Sequence, residues 1–218
     1  MLIAVCGHQP SFDTFQLTSP RIYFDNSKQT LDHTYYCELA SMYSLWKDYP
    51  NEDIVGLEHY RRFFVNNDNQ ILTKEEINSI LQTSDIIMAR NKLTCNVMTW
   101  IAKETHNLLE SFNGKTRILM YKWWMYVRDN YSHEFVDTMI SRMMTHNTYL
   151  GCNMFIGKKE VLDKYCEWLF PLMFSFFTDV MNSEYESRIF GYLSEYVFGY
   201  WLRWNHFNVA TLDFKKIS

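Results

Sequence analysis

Asp53-Ile54-Val55-Gly56-Leu57-Glu58-His59-Tyr60-Arg61-Arg62-Phe63-Phe64 is an apolar run that ends abruptly in a histidine and two arginines. Arginine carries a planar fork that makes bidentate, charge-assisted bonds to phosphate, which a lysine point charge cannot copy. Where negative charge develops on a departing diphosphate, such fixed charge lowers the barrier to its departure. In open α/β sheets ligands bind just beyond the carboxyl ends of the strands, so His59, Arg61 and Arg62 mark a candidate anion site. A chain that stays extended there points His59 and Arg61 one way and Tyr60 and Arg62 the other. A solvated strand end, with both arginines paired to surface carboxylates, explains the same string equally well.

A second group is Arg188-Ile189-Phe190-Gly191-Tyr192-Leu193-Ser194-Glu195. On a helix Arg188, Gly191 and Glu195 share one stripe, and Gly191 leaves room for a ligand or a backbone. Glu195 beside that gap has the chemistry of a general base toward a hydroxyl. An ion pair within or between helices is the competing reading. His106, in Lys103-Glu104-Thr105-His106-Asn107, can move a proton or bind phosphate, although a lone helical histidine is more often structural. No Asp-x-Asp pair occurs. That pair commonly holds Mn2+ or Mg2+ on a donor diphosphate, so no metal and no other cofactor is assigned. The phosphate-cradling GxxxxGK[ST] loop, GxGxxG after the first strand, HExxH and GxSxG are absent as well. Lys122-Trp123-Trp124-Met125-Tyr126 could stack on sugar faces or touch a membrane surface, and the edge of a packed core accounts for it equally.

The elements that must position these groups are legible from spacing. Short β-rich runs occur at Leu2–Cys6, Arg21–Asp25, Asp53–Leu57, Asp85–Met88, Asn153–Ile156 and Phe207–Leu212, with helical patterns between most of them. That alternation predicts one α/β domain with a central mixed, mostly parallel sheet and helices on both faces. Tyr36, Leu39, Ala40, Tyr43 and Trp46 predict an amphipathic helix over His33–Asp48, capped by Asp32. Val161, Leu162, Tyr165, Leu169, Leu172, Met173 and Phe176 predict a second helix, bent at Pro171, where a backbone donor is missing. A third pattern runs through Tyr185, Ile189, Tyr192, Leu193, Tyr196 and Tyr200. Asn113–Arg128 reads as loop, short helix or both.

The 218 residues fit one domain, with no repeat, low-complexity stretch or Pro/Gly-rich linker. The five cysteines, Cys6, Cys37, Cys95, Cys152 and Cys166, are odd in number and without a CxxC pair. Neither a disulfide framework nor a thiolate zinc site is indicated, and a reducing, cytoplasmic setting is the simplest expectation. No run approaches the roughly 20 apolar residues of a membrane span. A net charge of −4 argues against a general nucleic-acid binder. Aromatic residues make up 17% of the chain, more than a few sugar platforms would need, so most must fill the core.

Three blocks together resemble a bacterial family of capsular and exopolysaccharide glycosyltransferases, catalogued as a domain of unknown function and assigned to the GT-A class. They are Tyr36-Cys37-Glu38-Leu39 with Trp46-Lys47 and Gly56 through Phe64; Ser84-Asp85-Ile86-Ile87 followed by His106; and Asn153-Met154-Phe155-Ile156 through Tyr165-Cys166-Glu167-Trp168-Leu169-Phe170 to Arg188, Gly191 and Glu195. The resemblance implies a GT-A-like (Rossmann-like) fold. It implies a nucleotide-diphosphate donor, a UDP-hexose such as UDP-galactose or UDP-galactofuranose, and a polysaccharide or lipid-linked glycan acceptor in capsule, exopolysaccharide or O-antigen synthesis. A lipid-linked acceptor would place the chain peripherally at the inner face of the cell membrane.

By motif match the resemblance carries a functional expectation onto Glu38, His59, Arg61, Arg62, His106, Asn153, Arg188 and Glu195. Combined with the residue chemistry, Glu195, Glu38 and His106 are expected to be catalytic. His59, Arg61, Arg62, Asp25 and Asn26 are expected to bind the donor diphosphate, and Asn153, Arg188 and Gly191 the substrate. Residues 1–88 would form the nucleotide-binding half and 89–218 the acceptor side, by fold-level analogy. Relatives carry an Asp-Asn-Thr-Gly-Asp-Asn-Ile-Ser-like string before the first helix. Here it is Asp25-Asn26-Ser27-Lys28-Gln29-Thr30-Leu31-Asp32, changed in its second half. A degenerate, non-catalytic module that binds a nucleotide sugar or glycan is the alternative function.

Overall fold

Strands β1 (Leu2–Cys6), β3 (Ile54–His59), β5 (Ile86–Lys92) and β6 (Thr148–Lys158) send successive side chains into two different cores. Ala4, Cys6, Val55, Leu57, Ile86, Met88 and Phe155 join the larger core, while Ile3, Ile87, Ala89, Met154 and Ile156 join the smaller. A sheet covered on both faces requires this period of two. The computed structural model describes residues 1–7, 20–25, 28–102, 115–181 and 188–217, the side chains of 115–117 and 180–181 excepted.

The strand order is β2-β1-β3-β6-β5-β7, with β2 at Arg21–Tyr23 and β7 at Val209–Leu212. β1 is parallel to β2 and β3, and β5 to β7, whereas β6 runs against both of its neighbours, β3 and β5. All strands of this path except β6 therefore point one way, which is the mixed, mostly parallel sheet expected. β4 (Arg62–Phe64) folds back on β3, and β8 (Phe214–Lys216) pairs with β4. Helix α1 is His33–Tyr36 and α2 is Glu38–Lys47. The larger core is roofed by α2, α4 (Lys115–Asn130), α5 (His133–Thr145), α6 (Lys159–Phe176), α7 (Ile189–Glu195) and α8 (Phe198–Trp204). Helix α3 (Lys74–Leu81) covers the smaller core through Ile77 and Leu81.

Several elements differ from the spacing. The predicted helix over His33–Asp48 is broken at Cys37, whose φ of 49° and ψ of −131° no helix tolerates. In a continuous helix the Thr34 carbonyl would accept from the N–H of Glu38; here it accepts from the N–H of Arg188 at 2.8 Å. Asp32 does cap the first turn, accepting from the Thr34 N–H at 2.8 Å. From Ile189 onward the third pattern is likewise split, into α7 and α8, and Tyr185 lies outside the described residues. Pro171 lies within an otherwise continuous α6. The ambiguous 113–128 segment is helical from Lys115, and Trp123 and Trp124 turn into the core, which removes them as sugar platforms. Among the described residues no helix is long and apolar enough to cross a membrane.

Glu58, inside the cationic motif, is fully buried and forked to Arg21. Nε donates to Oε2 at 2.6 Å and the terminal nitrogen to Oε1 at 3.2 Å. Arg21 also donates to the Leu72 carbonyl at 3.0 Å, and the Phe64 N–H donates to Glu58 at 3.0 Å. This network ties β2, β3 and β4 together beneath the sheet edge where the site lies.

Candidate active site

Because β1, β2 and β3 are parallel, their carboxyl ends at Gly7, Phe24 and Tyr60 share one edge of the sheet. The Tyr23 hydroxyl donates to the Gly7 carbonyl at 2.6 Å. Gly7 has φ +124°, and a Cβ there would lie 2.1 Å from the Tyr60 ring, so both backbone and space demand glycine. Asp25 follows β2 at this edge with Lys28 Nζ at 3.4 Å. Asn26 lies outside the described residues.

The chain does not stay extended past His59. Tyr60 and Arg61 form a turn, and Arg62 pairs across from His59. Cross-strand partners share a face, so His59 and Arg62 come together, correcting the expectation that joined His59 to Arg61. Arg61 is exposed, its guanidinium 4.6 Å above the Tyr60 ring. Arg62 faces inward, where its charge bears on Cys6, His59, Cys152 and Glu195.

The second half of the site hangs on a deformation of β6. Met88 pairs with Phe155 and Arg90 with Leu150, so Ala89 alone faces the four residues Gly151 to Met154. Cys152 and Asn153 absorb the excess with φ of 64° and 48°. The Cys152 N–H donates to Glu195 Oε1 at 2.9 Å, and the Tyr149 hydroxyl lies 3.5 Å from the same oxygen. His59 Nε2 lies 2.6 Å from the Cys152 carbonyl oxygen. Asn153 is 1% exposed, and its amide nitrogen reaches Glu38 Oε1 at 2.9 Å, Ser194 Oγ at 3.0 Å and the Gly191 carbonyl at 3.2 Å. The space left by Gly191 is taken by protein: a Cβ there would sit 3.1 Å from Cys37 Cβ and 3.6 Å from Glu38 Oε1.

Among the described residues six non-glycines have positive φ, and four of them, Cys37, Cys152, Asn153 and Arg188, meet here. Left-handed backbone costs a non-glycine residue roughly 1–2 kcal/mol, and such strain concentrates where it aims functional groups. It sets Glu38 at the first turn of α2 and brings the backbone at Cys152 to Glu195.

Glu195 is pushed up to about 7, by burial first and then by the Glu38 charge, against the Cys152 N–H, Arg62 and the Tyr149 hydroxyl. Burial pushes His59 below its ordinary value, opposed by the Glu38 charge. Burial also drives the Cys37 and Cys152 thiols up to about 12, which makes neither a nucleophile at neutral pH. The Arg188 side chain bonds to Cys37, and its charge, like that of Arg62, reaches His59. Among the described residues neither arginine is ion-paired, and no cluster of three or more His, Cys, Asp or Glu side chains is arranged to hold a metal.

The structure thus brings together Glu38, His59, Arg62, Asn153, Arg188, Gly191 and Glu195, and turns Arg61 away. His106 lies outside the described residues. Cys37, Tyr149, Cys152 and Ser194 join the site without having been singled out from the sequence. A glycine and an asparagine close together in a strand pattern, Gly151 and Asn153, were the available signal for the bulge.

Residues 22–206 match the family described as Domain of unknown function (DUF4422), a span that includes all three blocks on which the resemblance rests. No curated protein matches the chain. Among solved structures, the apo form of the WbbM bifunctional glycosyltransferase superposes with a TM-score of 0.74 at 19% identity. The match covers 100% of this chain and 45% of that one, so the chain spans less than half of WbbM. The fold is therefore that of a single α/β, GT-A-like domain.

Proposed function

The chain belongs to the DUF4422 family, and we propose that it is a glycosyltransferase that moves a hexose from a UDP-linked donor onto a glycan. The observation that carries the reading is the placement of Glu195, bonded to the Cys152 N–H beside His59 at the carboxyl edge of the parallel strands, where burial and the Glu38 charge push it up to about 7 and the Arg62 charge reaches it. A general base works best when its pKa lies near the working pH. In transfer, Glu195 takes the proton of an acceptor hydroxyl whose oxygen bonds to the anomeric carbon. The bond from that carbon to the diphosphate breaks, and its electron pair leaves with UDP. Arg62 and Arg188 supply fixed positive charge where the diphosphate gains its negative charge.

Glu38, held by Asn153, keeps a second negative charge beside Glu195 and orients the sugar. The first half of the chain, with the ends of β1, β2 and β3, takes the nucleotide, while the β6 bulge and α7 serve the acceptor. UDP-galactose and UDP-galactofuranose are the donors to try first, with a polysaccharide or lipid-linked acceptor of capsule, exopolysaccharide or O-antigen type. The setting is the cytoplasm, at the inner face of the membrane when the acceptor is lipid-linked.

The experiment is a panel of UDP-hexoses with and without glycan acceptors, read as UDP release and as product mass. Release of UDP that Glu195→Gln abolishes supports the transferase. Thermal stabilisation by the same nucleotides without any turnover would refute it and leave a sugar-binding module.

A further inference from the structure

β3 and β6 pair as far as Leu57 with Phe155. The next residues on that face would be His59 and Asn153, but β6 has already turned aside through its left-handed pair. His59 instead reaches the Cys152 carbonyl with its side chain, at 2.6 Å. A carbonyl only accepts, so Nε2 carries the proton and the imidazole is the donor. The side chain thus ties β3 to the backbone of β6 beyond the point where the two strands stop pairing, while the His59 backbone pairs with Arg62. From its amide side, Cys152 donates to Glu195 at 2.9 Å.

We propose that His59 is a positioning residue: it fixes the Cys152 backbone, and through it the orientation of Glu195, without touching the diphosphate. This deepens the transferase reading and rests on it for what Glu195 does in turnover. Phosphate is bound by donors and cations. Burial keeps the imidazole neutral against the Glu38 charge and the Cys152 carbonyl, and the Arg62 and Arg188 charges push the same way as burial. A neutral ring with its single N–H occupied has only the Nδ1 lone pair left, which repels a phosphate oxygen.

Removing the donor leaves the Cys152 carbonyl unpaired and lets a strained residue relax, drawing its N–H away from Glu195. That N–H, with Arg62 and the Tyr149 hydroxyl, favours the ionised carboxylate against burial and the Glu38 charge. Its withdrawal raises the pH at which Glu195 ionises.

The test compares His59→Leu, which keeps the bulk and removes the donor, with His59→Gln, whose amide nitrogen can replace Nε2. Glu195 is titrated by carboxyl 13C NMR, and UDP affinity is measured by calorimetry. In His59→Leu the Glu195 titration is expected about one unit higher or more, while in His59→Gln it matches the wild type. UDP affinity in His59→Gln is expected within about twofold of the wild type. A loss of UDP affinity of about tenfold in His59→Gln would overturn the proposal. So would an unmoved titration in His59→Leu, or a titration in His59→Gln that follows the leucine variant. If His59→Leu does not fold, His59→Gln decides alone, because a histidine on the phosphate would lose affinity there and a positioning one would not. The titration needs no turnover, so an inactive wild type would defeat the transferase reading while leaving this result to stand.

Discussion

Glu195→Gln tests the electrostatics of the site without any substrate. Burial, and after it the Glu38 charge, push Glu195 from an ordinary value of 4.5 up to about 7 in the folded protein. Below about pH 4.5 the carboxyl is protonated in both states and contributes no pH dependence. Between there and about 7 the unfolded chain releases the proton while the folded chain retains it, so stability falls as pH rises. Above 7 both states are ionised and the loss is complete. At about 1.4 kcal/mol per unit, the gap amounts to about 3 kcal/mol. Glutamine resembles the protonated carboxyl and carries no such penalty. Urea unfolding of both proteins at intervals from pH 4.5 to 8 should show Glu195→Gln gaining on the wild type by up to about 3 kcal/mol as pH rises. Turnover of a UDP-hexose should meanwhile fall by about 10²–10⁴ with near-normal UDP affinity. A stability difference that stays constant across that range would refute the claim that burial and Glu38 hold Glu195 near neutrality.

Arg62→Ala should weaken UDP binding about ten- to hundredfold, while Arg61→Ala, on the outside of the hairpin, should leave calorimetric affinity close to wild type; equal losses would mean that the turn does not separate them. Arg21→Met should strand the Glu58 charge beneath the sheet edge and cost about 3–5 kcal/mol in denaturant unfolding, and a loss below 1 kcal/mol would reassign that pair to the surface class. EDTA should leave transfer intact, because Arg62 and Arg188 can neutralise the leaving group unaided; activity lost in EDTA and restored by Mn2+ would show a metal to be required.

What the sequence made legible follows the reach of each signal. The strands that alternate between two cores, β1, β3 and β5, stood out because burial on both faces leaves unbroken apolar runs. β4 and β8 are three residues each, too short for a period to emerge. Helix α3 was not legible from the spacing, because only Ile77 and Leu81 of its eight residues are buried, although Thr73 and Glu76 form a reciprocal capping box at its start. The site divides the same way. Residue type pointed to His59, Arg62 and Glu195, but facing depended on a two-residue turn that carries neither glycine nor asparagine. The break at Cys37 was invisible because its cause, Arg188 binding the Thr34 carbonyl, lies about 150 residues away in the chain.

The place of β6 in the sheet bears on how the chain can be cut. β6 lies between β3 and β5, although both precede it by more than 50 residues. Until that strand arrives, β5 has no neighbour among the earlier strands, and the open flank of β3 is an unsatisfied edge available to any passing strand. Residues 1–88 and 89–218 therefore cannot be swapped between relatives as cassettes: a break after residue 88 bisects β5, and each piece exposes a hydrogen-bonding edge that the other was built to close. Long-range insertion of this kind also delays closure of the sheet until late in folding, which makes the first half dependent on its own later sequence for protection against association.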